Sequence, residues 1–249
     1  MTFSAISDIH IKNNNDDRYD LLLRFMRHEL VSNSDQIFLL GDIFDLALGT
    51  HKEYYELYKE FFNLLIKCSQ QGKIIRFFEG NHDFHLGGFF EYLKCEKGLQ
   101  NTQYYKVNYQ ERIDGKTFIF AHGDDIELDN PAYRRWKLFI NNPFMKILMS
   151  DFLTFKFIQR LGSYLSNKSH VNNANKYQNE EAQNMIREKY RHSVDEFHKK
   201  RIFDYMIAGH SHVQEELITK DYSYYNCGYL PITKCFIYFD GLKVSSIKL

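Results

Sequence analysis

Cysteine is scarce in this chain, and what there is forms no pattern. Cys68, Cys95, Cys227 and Cys235 include no CxxC pair, which excludes the usual thiolate zinc spacing and agrees with free thiols in a reducing compartment. Proline is nearly missing, with 3 in 249 residues, and 44% hydrophobic against 26% charged residues excludes wholesale disorder. Neither sign of charge prevails: 32 Lys and Arg face 32 Asp and Glu. A global cationic field for nucleic acid or membrane is therefore absent; no nucleic-acid partner is expected, and attraction to any charged partner must be local. No apolar run reaches the roughly 18 residues of a spanning helix. The N-terminus, Met1 to Asp8, has no basic region followed by an apolar one, so an intracellular protein without a signal peptide is expected. Aromatic residues, by contrast, are abundant: 22 Phe and 18 Tyr bring the aromatic share to 16%. The length fits one enzyme-sized domain, residues 1–249.

Short β-branched and aromatic runs read as strands that stop abruptly at polar residues. Phe3 to Ile6 stops at Ser7-Asp8, Ile37 to Leu40 at Gly41-Asp42, Ile74 to Phe78 at Glu79-Gly80-Asn81, Thr117 to Ala121 at His122-Gly123-Asp124, and Tyr205 to Ala208 at Gly209-His210. Helical stretches, Tyr19 to Val31 and Glu53 to Gln71, lie between them. This alternation predicts an α/β sheet with its site collected on one rim. From Tyr222 onward the chain is helix-poor, with strand-like runs Tyr222 to Cys227, Lys234 to Phe239 and Lys243 to Lys248 and a hairpin turn at Asp240-Gly241. Glu180 to Lys200 reads as a charge-rich helix with a solvated face, and Tyr133 to Lys168 as a helical insertion near the site.

The chemistry rests on five short motifs: Asp8-x-His10, Gly41-Asp42-x-x-Asp45, Gly80-Asn81-His82-Asp83, His122-Gly123-Asp124 and Gly209-His210-Ser211-His212. Each alone is weak, but all five come in order, each at a strand end. Carboxylate and amide oxygens with neutral imidazoles make mixed sites for first-row divalent ions, and seven ligands with one shared carboxylate would hold two. The set resembles the calcineurin-like metallophosphoesterase superfamily. That resemblance implies a four-layer αββα sandwich with a dinuclear site at the sheet rim. It places Asp8, His10, Asp42 and His212 on one ion and Asp42, Asn81, His122 and His210 on the other, with manganese first and iron, zinc or magnesium as alternatives. It also gives His82 the role of stabilising phosphoryl oxygens or protonating the leaving group, with Asp45 orienting it as a carboxylate partner.

A narrower resemblance runs from His122 through Tyr133 into the insertion. It is similar to the UDP-2,3-diacylglucosamine diphosphatases of lipid A biosynthesis, in which the insertion forms a lid over acyl chains. This implies a nucleotide-linked glycolipid substrate, cleaved at its pyrophosphate to UMP and 2,3-diacylglucosamine 1-phosphate. Its contacts would be Asn81, His82, Tyr133, Arg160, Asn167 and Lys168. The enzyme would work peripherally on the cytoplasmic face of an anionic inner membrane. The residues support a lipid-like ligand independently: from Arg134 to Lys168 there are seven basic residues against the single acid Asp151. A phosphoesterase for soluble nucleotides, phosphoproteins or nucleic acid, and a metal-supported binding module, remain alternatives.

Overall fold

The structure, a computed structural model, describes residues 1–128, 131–140, 142, 153–162 and 179–249. One sheet joins β1 (Phe3–Ile6), β2 (Gln36–Leu39), β4 (Ile74–Phe78), β6 (Thr102–Tyr105), β12 (Cys235–Phe239) and β13 (Val244–Lys248) in the order β13-β12-β1-β2-β4-β6. A second joins β7 (Tyr109–Ile113), β8 (Lys116–Phe120), β9 (Tyr205–Ala208), β10 (Glu215–Ile218) and β11 (Ser223–Asn226) in the order β10-β11-β9-β8-β7. A short parallel pair, β3 (Ala47–Leu48) with β5 (Asp83–Phe84), ties together the segments that follow β2 and β4. Strands β1, β2, β4 and β6 are mutually parallel, and so are β8, β9 and β11.

The period-two alternation of side chains divides the core into layers. Phe3, Phe38, Leu40 and Phe78 of the first sheet meet Phe118, Phe120, Ile207 and Tyr225 of the second in one buried cluster. At its centre Phe38 stacks on Phe120 with ring centroids 3.7 Å apart. The opposite face of the first sheet, with Ile37, Leu39, Ile75 and Phe77, packs on Leu22, Phe25, Phe61 and Leu65 of the flanking helices. The outer face of the second sheet, with Ile119, Met206 and Ala208, packs on Tyr190 and Val194 of helix Glu180–Lys200. Helix, sheet, sheet, helix is the expected αββα order.

The expected elements differ from the observed ones where a single residue changes the backbone. The stretch Tyr19 to Val31 is two helices, Asp17–Arg27 and Glu29–Asn33. His28 between them is extended (φ −64°, ψ 138°), and its ring accepts from the Leu30 N–H as an N-cap. The stretch Glu53 to Gln71 likewise breaks at Tyr58 (φ −117°, ψ 38°) into Glu53–Leu57 and Lys59–Gln70, because the Tyr58 ring is drawn into the core beside Phe44. In the tail β11, β12 and β13 form as read, and the Asp240 carboxylate closes the hairpin by accepting from the Leu242 and Lys243 N–H groups. Strands β6, β7 and β10 are not legible in the hydrophobic pattern: the sequence of β7, Tyr-Gln-Glu-Arg-Ile, is polar because it lies at a sheet edge.

Of the insertion, Pro131–Ile140 and residues 155–162 are helical. The second helix packs one face on the body: Ile158 is buried with Leu48 and Phe84, and the Phe155 ring lies edge-on to Tyr54 at 5.1 Å. Phe157, Lys156 and Arg160 remain exposed. No helix among the described residues is long and apolar enough to cross a membrane.

Candidate metal centre

The parallel arrangement brings the carboxyl ends of β1, β2 and β4 from one sheet against those of β8 and β9 from the other. Backbone bonds stitch these ends together: Ile9 and His10 N–H groups donate to the Asp42 carbonyl at 2.9 and 3.0 Å, and the Gly209 N–H donates to the His122 carbonyl at 2.7 Å. The chain turns sharply here. Asp8, His10, Asp42, His210 and His212 all have φ between 52° and 68°, and they make up five of the eight non-glycine residues with positive φ among those described. Left-handed backbone is costly for residues with a Cβ, and such strain concentrates at functional sites. Close approach also demands glycine: a Cβ on Gly80 would lie 2.1 Å from Asp42 Oδ1, and one on Gly209 would lie 2.4 Å from Asp8 Oδ2.

The donor atoms converge around one oxygen. Asp42 Oδ2 lies 3.6 Å from His10 Nε2 on one side and 3.6 Å from His122 Nε2 on the other. On the first side His212 Nε2 stands 3.1 Å from His10 Nε2 and 3.3 Å from Asp8 Oδ1, so Asp8, His10, Asp42 and His212 offer four ligand atoms within 4.8 Å of one another. On the second side Asn81 Oδ1 lies 3.2 Å from His122 Nε2 and 2.9 Å from His210 Nδ1. The seven residues singled out as ligands in the sequence are thus in one place, arranged as two groups sharing Asp42.

Electrostatics favour cations there. Burial first, then the negative charges of Asp83 and Asp8, hold the Asp42 carboxyl well above the usual carboxylate range. Burial would raise Asp8 too, but its bonds to His212 and Ser7 hold it low. The imidazoles are pushed the other way: burial takes His10 well below its ordinary value and His122 down to about 4. Neutral imidazoles have lone pairs to give, and a buried anionic Asp42 needs positive charge beside it. His122 is also in the right tautomer. Its Nδ1 donates to the Leu40 carbonyl at 2.9 Å, a group that can only accept, so Nε2 keeps its lone pair toward Asp42 and Asn81. Residues, tautomer and charge therefore fit divalent metal ions.

Asp83 completes the framework, a role that reading the Gly-Asn-His-Asp motif for ligands misses. Its buried carboxylate accepts from the N–H groups of Asp42 (2.8 Å), Gly80 (2.9 Å), Ile43 (2.7 Å) and Phe44 (3.3 Å), locking two motif loops together. Tyr229 is missed too, because nothing in its sequence context marks it. Its ring stacks on His212 at 5.2 Å, and the Arg18 guanidinium lies 5.9 Å from its centre.

Other expected residues fall as follows. His82 sits beside the cluster of candidate ligands, its ring 4.6 Å from that of His10 and its N–H on Asp42 Oδ1 at 2.9 Å. The expected Asp45 carboxylate partner requires correction: His82 Nδ1 donates to the Asp45 backbone carbonyl at 2.7 Å, because the turn after β2 presents main chain there. The Asp45 carboxylate is still close, in a group with His10 and His82 within 4.8 Å. Tyr133 is on helix Pro131–Ile140, and Arg160 is exposed on the helix over 155–162. Asn167 and Lys168 lie outside the described residues.

The model of the calcineurin-like phosphoesterase family matches residues 1–214, which include every one of the seven converging side chains. The chain belongs to that family. It is accordingly a metal-dependent phosphoester or phosphoanhydride hydrolase. Similar proteins include the UDP-2,3-diacylglucosamine hydrolase of Yersinia enterocolitica, 28% identical over 85% of this chain and 82% of that one. The hydrolase of the same description from Photorhabdus laumondii is 27% identical over 83% and 80%. Among solved structures, an archaeal phosphodiesterase aligns over 100% of both chains at 14% identity and a TM-score of 0.47. Tyr229 lies beyond the matched stretch of this phosphoesterase, on a segment whose Leu230 N–H donates to the Asp8 carbonyl at 3.2 Å.

Proposed function

We propose that this phosphoesterase, acting as a single domain over 1–249, hydrolyses the pyrophosphate of a UDP-linked diacylated glucosamine, releasing UMP and a lipid monophosphate. Asp8, His10, Asp42 and His212 would hold one divalent ion and Asp42, Asn81, His122 and His210 a second, manganese being the first candidate for both. When bound, two such ions neutralise phosphate charge and lower the pKa of an attacking water. The protein's own part is to hold those side chains in place. The Asp45 carbonyl fixes the His82 proton on Nδ1 and leaves Nε2 for the phosphate or leaving group. Since burial lowers the His82 pKa, it is the negative phosphate that favours the charged, donating ring.

One observation carries the choice of substrate. Lys137 donates to the buried Asp124 carboxylate at 2.7 Å, tying helix Pro131–Ile140 to the metal rim two residues past His122. The next two residues on that helix, Leu138 and Phe139, are 75% and 53% exposed. Apolar surface is thus fastened to a phosphate-cleaving centre, with Arg135, Lys156 and Arg160 as exposed cations on the two insertion helices. Such a surface suits acyl chains on an anionic membrane face, and the relatives act on a lipid of that kind. Tyr133, Asn167 and Lys168 complete the proposed contacts, and the enzyme would work peripherally on the cytoplasmic side.

An acylated UDP-sugar should be cleaved with a far higher kcat/KM than its deacylated counterpart. Burial contributes about 0.8 kcal/mol per CH₂, and remote apolar binding can orient the pyrophosphate over the metal centre. Phe157→Asp should erode that preference while sparing turnover of a small aryl phosphate. Equal kcat/KM for the two sugars would point instead to a phosphoesterase for soluble substrates.

A further inference from the structure

The sequence presents helix Glu180–Lys200 as a solvated, charge-rich element, yet one of its faces grips the loop that follows His122. The Tyr190 hydroxyl donates to the Gly123 carbonyl at 2.6 Å, and the Ser193 hydroxyl accepts from the Leu128 N–H at 3.2 Å. Between these, Lys189 donates to Glu127 Oε1 at 2.7 Å. The Glu127 side chain is only 12% exposed. Its other oxygen, Oε2, stands 3.4 Å from His210 Nε2, while His210 Nδ1 stands 2.9 Å from Asn81 Oδ1. The two ring nitrogens of His210 therefore face different partners: a carboxylate at Nε2, and the amide oxygen shared with His122 at Nδ1.

A histidine offering its Nδ1 lone pair to a cation must carry its proton on Nε2, and that N–H needs an acceptor. We propose that Glu127 is a positioning residue for the second ion: it accepts from His210 Nε2–H, fixes the tautomer and ring orientation, and is itself held in place by Lys189. This rests on the two-ion reading given above. Glu127 belongs to none of the five motifs, and although it lies in the stretch from His122 to Tyr133, nothing there gives it a role. Its role emerges only because helix Glu180–Lys200 packs against the loop.

Losing the outer partner of a ligating imidazole typically weakens metal binding about 10- to 100-fold. The test is calorimetric titration of the metal-stripped full chain with Mn²⁺ alone, alongside the thermal midpoint of each metal-free variant. In Glu127→Ala, one of the two binding steps should weaken about 10- to 100-fold, with the other step and the metal-free midpoint little changed. Lys189→Met should weaken the same step by less, and Lys189→Arg should restore it. Because Lys189 is peripheral, these two variants decide the matter even if Glu127→Ala folds poorly. Unchanged binding in both Glu127→Ala and Lys189→Met, or equal weakening of both steps with a lowered midpoint, would overturn the role of Glu127 while leaving two ions in place. Uptake of a single ion by the wild-type chain would overturn the two-ion reading and this inference with it.

Discussion

Asp42→Asn should lose at least about 10³-fold in kcat, because it removes the one charged oxygen common to both groups of donors and the metals' contribution is worth several kcal/mol. The substitution changes shape little. The Asp42 N–H still reaches Asp83, and an amide oxygen can still accept from the His82 N–H. What disappears is the negative charge 3.6 Å from both His10 and His122. Without it two cations would repel each other across a neutral amide, so metal content should fall together with turnover. Elemental analysis of the purified variant beside wild-type protein, with activity measured in excess Mn²⁺, checks both. A variant that keeps its metal and most of its activity would remove Asp42 from the shared position.

His82→Ala should lower kcat about 10²-fold while leaving metal content nearly unchanged, the usual scale for losing a proton donor or a charge-stabilising group. His82 touches the site on two sides. Its backbone N–H on Asp42 Oδ1 survives the substitution, whereas the ring that packs edge-on to His10 does not. A leaving group that needs no protonation should narrow the deficit, so an activated aryl phosphate and a poorly activated one should be compared. Loss of a metal ion in His82→Ala would instead make this histidine a ligand.

Much of this architecture is legible in the order of the amino acids, and the reasons are local. Strands β1, β4 and β9 have the ends read from sequence because each buried apolar run stops where the chain enters the site: at Ser7-Asp8, with Asp8 in the left-handed region, and at Glu79-Gly80 and Gly209, whose glycines leave no room for a Cβ. The helix Glu180–Lys200 also starts and stops as read, with Asn179 capping its first turn. The breaks at His28 and Tyr58 are hidden because both residues are tolerated in a helix, and only packing and capping in the folded state draw them out. The same division holds at the site. Ligand types and order are in the motifs, but the supporting contacts are not. Asp83 acts through four backbone N–H groups, Tyr229 through a ring stacked on His212, and Glu127 through helix Glu180–Lys200 some sixty residues downstream. Each joins segments far apart in sequence, where spacing carries no signal.

The most direct test is product analysis. Purified chain is incubated with UDP-2,3-diacylglucosamine and Mn²⁺, and its products are separated and identified by mass spectrometry, with a parallel sample in excess chelator. The expected result is equal amounts of UMP and a diacylglucosamine monophosphate in the metal-loaded sample, and neither with chelator. Release of UDP or free phosphate instead, or undiminished UMP formation in chelator, would contradict a metal-dependent attack on the pyrophosphate.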